Sequence, residues 1–173
     1  LDPASKMGAM VDETQTQTVM GYIEKGKQSA QLVTGGERVQ IDGKGCFVQP
    51  TIFDGVTPDQ TIARQEIFGP VLSVIEVASA EEAIALANDT EYGLAASIFS
   101  ANARTALRAA RDIRAGTVTV NCYGEGDIST PFGGFNQSGF GGRDNGIHAH
   151  DQYTQLKTIW IDLTDPADGD NVG

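Results

Sequence analysis

Gly116-Thr117-Val118-Thr119-Val120 runs directly into Asn121–Arg143, NCYGEGDISTPFGGFNQSGFGGR. The first five residues are apolar or β-branched and carry no charge, which reads as a buried strand. The stretch after it holds seven of the 21 glycines in the chain, two adjacent pairs among them, and shows almost no helical periodicity. In an open α/β sheet, ligands bind in the crevice beyond the carboxyl ends of the strands. A long glycine-rich segment leaving such an end is therefore expected to carry function. Phe132, Phe135 and Phe140 are interleaved with the glycines, which separates the segment from a flexible linker.

Working outward, the chain upstream alternates. Val71–Val77 reads as a strand. Ser79 is expected to cap the next helix, with Glu82 three residues on completing a capping box and Ala83, Ile84 and Ala87 on its inner side. Leu94–Phe99 is a second strand. Ala103–Arg114 is a helix with Ala106, Leu107, Ala110 and Ile113 inward, stopped by Gly116. Strand, helix, strand, helix, strand gives an α/β protein with a parallel βαβαβ sheet and right-handed crossovers. Nearer the start, Val11–Ala30 reads as a helix, and Cys46–Gln49 and Thr51–Phe53 as extended pieces interrupted by Pro50. Nearer the end, 145–152 forms a short helix and Tyr153–Leu163, YTQLKTIWIDL, a strand that is apolar on both faces. Such a strand must pair, either with the chain's own sheet or with a neighbouring subunit.

The chain has 173 residues, 40% of them hydrophobic, enough for a buried core. A formal net charge of −11 argues against nucleic acid or an anionic membrane as partner. No 18-residue apolar run or basic-plus-apolar leader occurs, so neither a membrane span nor secretion is expected. Cys46 and Cys122 stand outside any CxxC pattern and fit two reduced thiols in a cytoplasmic protein. The chain begins Leu1-Asp2-Pro3, which suggests a fragment.

No GxGxxG, GxxxxGK[ST] or HExxH is present. His148 and His150, two apart, point to different faces of a helix, so no metal site is expected. A Cys122 nucleophile would need a base, and neither histidine lies near it in sequence. Two constellations remain. In Gln65-Glu66-Ile67-Phe68-Gly69-Pro70, a carboxylate beside an aromatic ring on a rigid turn can hold a ribose diol while the ring packs on a flat heterocycle. In the glycine-rich loop, Glu125 and Asp127 would favour a cationic guest. For the first the competing account is an exposed Glu66 and a core Phe68, and for the second solvated acidic loop residues.

Four ordered motifs carry a resemblance: EIFGPV at Glu66–Val71, YGLAASIF at Tyr92–Phe99, AGTVTVNCY at Ala115–Tyr123 and TPFGGFNQSGFGGRD at Thr130–Asp144. They follow one another as in aldehyde dehydrogenases, and the likeness runs from about Asp2 to Leu163. The loop NCYGEGDISTPFGG resembles those of γ-glutamyl-γ-aminobutyraldehyde and related aminoaldehyde dehydrogenases. The resemblance implies NAD(P)-dependent oxidation of an aldehyde to a carboxylic acid, by way of a cysteine thiolate and a glutamate that activates water. It implies that Glu66 holds the nicotinamide ribose, that Phe68 packs near the nicotinamide, that Phe132 lines the substrate tunnel, and that the Gly124–Ser129 loop reads the substrate's far end. It also implies that Tyr153–Leu163 joins a partner's sheet.

The departures bear on activity. The GQxC-like nucleophile segment, the general-base glutamate and the Rossmann-like cofactor domain have no counterpart here, and Asn136 stands where the family usually has Lys. The division expected is 1–145 for the C-terminal part of a catalytic domain, 146–163 for an oligomerisation element and 164–173 for a polar tail. The leading expectation is the C-terminal part of an NAD(P)-dependent aldehyde dehydrogenase acting on ω-aminoaldehydes, with no catalytic residue in this chain and no turnover by it alone. The alternative is a non-catalytic assembly module that pairs through Tyr153–Leu163.

Overall fold

The computed structural model describes residues 4–124 and 126–163. Glu125 and the 164–173 tail lie outside the described residues. The chain forms two compact units, one of Leu1–Thr90 with Arg111–Ile113 and one of Glu91–Ala110 with Arg114–Gly173.

The first unit opens on α1, Glu13–Ser29, capped by Asp12, whose carboxylate accepts the Gln15 N–H at 2.7 Å. Thr16, Val19, Ile23 and Gly26 recur at helical spacing and are its buried side. Four strands follow: β1 (Gln31–Thr34), β2 (Arg38–Ile41), β3 (Lys44–Val48) and β4 (Thr51–Asp54). β2 and β3 make an antiparallel hairpin whose two-residue turn, Asp42-Gly43, has φ of 51° and 72°. Positive φ at both turn positions is the geometry that Asp-Gly supplies and that matches strand twist. After the short helix α2 (Thr61–Arg64), β5 (Val71–Ser73) completes a sheet of order β1-β4-β5, antiparallel then parallel. Val19, Ile23, Val48, Phe53, Val56, Ile62 and Ile67 pack between α1 and this sheet as one apolar cluster. Helix α3 (Ala80–Asn88) then begins where Ser79 Oγ accepts the Glu82 N–H at 3.1 Å. The Glu82 carboxylate returns to the Ala78 N–H at 2.7 Å, one residue before the cap.

The second unit holds the parallel pair β6 (Ala95–Ile98) and β7 (Thr117–Val120), joined through α4 (Ala103–Asp112). The α/β class with parallel strands is thus as expected, but the three strands do not share one ladder. β5 bonds to β4, not to β6, because Val74 carries the segment on beside Phe53 and Val56: Val74 N–H donates to Phe53 O and Val56 N–H to Val74 O. On α4 the buried residues are Ala106 and Ala109, while Leu107 is 68% exposed, so the inward stripe is rotated from the one the pattern suggests. On α3, Ala83, Ile84 and Leu86 are half-buried and Ala87 is exposed.

Residues Asn136–Ser138 and Ile147–Gln152 are short 3-10 helices, of one and two turns. Tyr153–Leu163 joins no sheet among the described residues and is exposed throughout, with Leu156, Trp160 and Leu163 almost fully in solvent. Among the described residues it completes no sheet of this chain.

Candidate functional site

In the first unit, the segment Gln65–Pro70 crosses from α2 to β5. Ile67 anchors it in the core at 8% exposure, and Gly69 lies so close to Val19 that a Cβ there would stand 2.5 Å from Val19 Cγ2. Between these two fixed points Phe68 takes φ 55° and is 76% exposed. A left-handed backbone costs a residue with a side chain roughly 1–2 kcal/mol. Strain of this kind persists only where surrounding contacts impose it, and it clusters at ligand sites. The contacts come from α1: Gln15 Nε2 donates to Ile67 O at 3.2 Å and to Phe68 O at 3.1 Å, and Tyr22 OH donates to Gln65 Oε1 at 3.0 Å. Glu66 is exposed, and its carboxylate meets no donor among the described residues. Two uncommitted acceptor oxygens beside an open aromatic face suit a vicinal diol attached to a flat ring.

In the second unit, β6 and β7 border a cavity of about 370 Å³ along their length, through Ala95, Ala96 and Ser97 of one strand and Thr117 and Thr119 of the other. Ser97 and Thr119 form part of its wall, joined hydroxyl to hydroxyl at 2.9 Å, and Thr119 Oγ1 also donates to Cys122 O at 2.9 Å. The glycine-rich loop supplies much of the rest, with Tyr123, Asp127 and Phe132 in the lining, and Asn145 borders the space too. Phe132 is held by paired main-chain bonds, its N–H to Asp144 O and the Asp144 N–H to its carbonyl, each 2.7 Å. Asp127 accepts from Ser129 twice, from the hydroxyl at 2.5 Å and the main-chain N–H at 2.7 Å. These bonds stabilise the charged form, the hydroxyl most, and hold the carboxyl below its ordinary pKa of 3.8.

The loop is stapled by Gly93, whose carbonyl accepts the N–H groups of Gly116 at 3.0 Å and Phe135 at 2.9 Å. Ser138 Oγ accepts the Gly93 N–H at 3.1 Å. Asn136, at φ 52°, donates its amide to Tyr92 O at 3.2 Å, and the Arg143 guanidinium lies 5.1 Å from the centre of the Phe135 ring.

Of the residues singled out from sequence, the structure brings Glu66 and Phe68 together in one unit and Asp127 and Phe132 around one cavity in the other; Glu125 lies outside the described residues. Tyr123, Ser97 and Thr119 were not singled out, though all three sit in the quoted motifs. Gln15 and Tyr22 could not have been, since their partners lie 52, 53 and 43 residues away. Cys46 Sγ faces Glu13 Oε2 at 3.8 Å, and that carboxylate is itself gripped by two Arg38 nitrogens at 2.6 Å. A carboxylate so engaged is a weak base for a thiol. Among the described residues no group of three or more potential metal ligands occurs, and no helix is long and apolar enough to cross a membrane.

This α/β chain, with its strained Glu-Ile-Phe-Gly turn and a cavity bordered by a parallel strand pair and the glycine-rich loop, matches a known family. The sequence profile of the Aldehyde dehydrogenase family covers residues 1–159, and this chain belongs to that family. It is 54% identical over 164 residues to the aminoacetaldehyde dehydrogenase of Pseudomonas aeruginosa, spanning 95% of this chain and 32% of that protein. It is 55% identical to the crystal structure of γ-glutamyl-γ-aminobutyraldehyde dehydrogenase from Burkholderia cenocepacia, with a TM-score of 0.86 over 90% of this chain and 31% of that one. A mutant of P. syringae indole-3-acetaldehyde dehydrogenase solved with NAD+ and IAA superposes with a TM-score of 0.88 at 53% identity, over 94% of this chain and 33% of the other. The chain therefore spans about a third of the length of these relatives.

Proposed function

We propose that this chain forms the cofactor-ribose grip and the distal aldehyde pocket of an NAD(P)-dependent aldehyde dehydrogenase that oxidises ω-aminoaldehydes to carboxylic acids. The observation that carries the substrate class is Asp127, a carboxylate whose charged form Ser129 stabilises, on the wall of a 370 Å³ cavity that Tyr123 and Phe132 also line. Aromatic rings and a negative charge around one cavity suit an alkyl chain with a cationic terminus. The aminoacetaldehyde and γ-glutamyl-γ-aminobutyraldehyde activities of the relatives named above agree with that class. Glu125, two residues before Asp127, would add to the charge.

Glu66 and Phe68 are the residues that would hold a nicotinamide cofactor, whose chemistry is to accept hydride from the substrate carbon. Glu66 would take the ribose hydroxyls on its free oxygens, and Phe68 would cover the flat ring. The division proposed is 1–145 for the catalytic part, 146–163 for the oligomerisation element and 164–173 for the tail. These residues alone are expected to show no turnover.

Asp127→Asn in the complete polypeptide is expected to lower the kcat/KM preference for a cationic over a neutral aldehyde of equal length by about fivefold, as for a partly exposed charge pair. The carboxyl's pKa is depressed, so its charge is present above the ordinary carboxylate value and lost only as pH falls through the lower, folded one. The preference should accordingly stay flat as pH is lowered towards 5. An unchanged ratio in Asp127→Asn removes this account of specificity.

A second reading, a non-catalytic assembly module, draws on the exposed ribbon of Leu156, Ile159, Trp160, Ile161 and Leu163. Light scattering on the purified chain tests it. A stable dimer that shows no affinity for nucleotide would favour assembly, and a monomer at tens of micromolar would count against it.

A further inference from the structure

Gln15, Val19 and Tyr22 stand at i, i+4 and i+7 on α1, a spacing that aligns them in one stripe. All three meet the Gln65–Gly69 segment. Gln15 donates both amide hydrogens, one to Ile67 O and one to Phe68 O, at 3.2 and 3.1 Å. Val19, fully buried, fills the space that lets only a glycine stand at 69. Tyr22 OH reaches the Gln65 carboxamide at 3.0 Å. Glu66, the one residue of the segment with an unengaged polar side chain, sits between the Tyr22 and Gln15 attachments.

The Phe68 conformation needs such a frame. Its backbone is left-handed and its ring lies in solvent, so burial of the side chain does not hold the turn. The buried neighbour Ile67 fixes where the segment enters the core, but leaves the peptide after it free to rotate. The two carbonyls that flank this rotation are those taken by Gln15. We infer that Gln15 is a positioning residue: by bridging the Ile67 and Phe68 carbonyls it holds the turn that presents Glu66 and Phe68 to a nicotinamide nucleotide, with Tyr22 as the lesser support on the other flank. The inference rests on the reading of Glu66 and Phe68 as the cofactor grip.

The test is direct NAD+ binding by calorimetry to the complete polypeptide, run on Gln15→Met, Tyr22→Phe, Glu66→Gln and the double variants Gln15→Met/Glu66→Gln and Glu66→Gln/Phe68→Ala. Methionine keeps the length and helix preference of glutamine and removes only the donors. Gln15→Met should raise the NAD+ dissociation constant about threefold to tenfold, the range of a lost net hydrogen bond, while the thermal midpoint without nucleotide moves little. Tyr22→Phe should act in the same direction and less. Since Gln15 is taken to work through Glu66 and Phe68, adding Gln15→Met to Glu66→Gln should weaken binding by clearly less than Gln15→Met does alone, the remainder acting through Phe68. Weakened binding in Glu66→Gln with none in Gln15→Met would overturn the positioning role and leave the grip standing. A fully additive double variant would also overturn it, since Gln15 would then act independently of Glu66. Unaltered binding in Glu66→Gln and Phe68→Ala together would remove the grip itself, whatever Gln15 does.

Discussion

Gly116→Ala is expected to unseat the wall of the cavity in the second unit. A Cβ at 116 would overlap the carbonyl oxygen of Gly133, and the Cα of Gly134 lies 3.3 Å from the same point. Both neighbours are main chain, so no side-chain rotation can make room. The strand end and the Pro131–Phe135 segment must part, and with them go the Gly93 carbonyl's bonds to Gly116 and Phe135. The cost is on the order of 3 kcal/mol, the upper end for added volume in a packed site. Chemical denaturation of the complete polypeptide should show it, and kcat/KM for the aldehyde should fall as Phe132 leaves its place. Gly126→Ala is the control. Nothing lies within 4 Å of its Cβ position, so the change should be worth no more than about 0.5 kcal/mol. A Gly116→Ala protein with an unaltered unfolding midpoint would contradict the close approach described above.

Phe53→Ala should be the most damaging single truncation in the first unit. The ring is 0% exposed, and a Cβ on Gly26 of α1 would lie 2.6 Å from its Cζ. Removing a fully enclosed phenylalanine costs about 3–5 kcal/mol, part transfer and part cavity. The contact with Gly26 adds a sharper test. Gly26→Ala alone should destabilise by about 1–3 kcal/mol, because the added methyl drives into the ring. In a Phe53→Leu background the same methyl has room, and its cost should fall by about half or more. Additivity of the two changes would mean that helix and ring do not interlock there.

How far these features were legible depends on the range over which each is decided. The glycine-rich loop and its strand could be read because both the apolar run Thr117–Val120 and the Gly/Phe alternation are local. The Ser79–Glu82 cap is local too, and it forms as its spacing implies. Pairing is not local. Val71 gives no sign that its neighbour is Thr51 rather than Ala95, and the choice falls to contacts such as Val74 with Phe53. β1 and β2 escaped for another reason. Each has four residues, Gln-Leu-Val-Thr and Arg-Val-Gln-Ile, too short and too mixed for a period to show. The Asp42-Gly43 dipeptide between β2 and β3 was nevertheless a usable hairpin signal. At the site, Glu66, Phe68, Asp127 and Phe132 were visible as chemistry within short motifs. The α1 groups that brace Glu66 and Phe68 were not, because a glutamine and a tyrosine on a helix carry no mark of a carbonyl fifty residues away.

The uncovered ribbon at Tyr153–Leu163 has a bearing on how the polypeptide must be produced. Along the run of Leu156, Ile159, Trp160 and Ile161 the main chain pairs with no strand among the described residues, and such an edge accepts any extended segment, not only a cognate one. Lys157 and Asp162 are the charged residues within it, and they serve as gatekeepers against runaway stacking. Replacing both by neutral residues should send the overexpressed polypeptide into inclusion bodies, even though neither takes part in the packed interior.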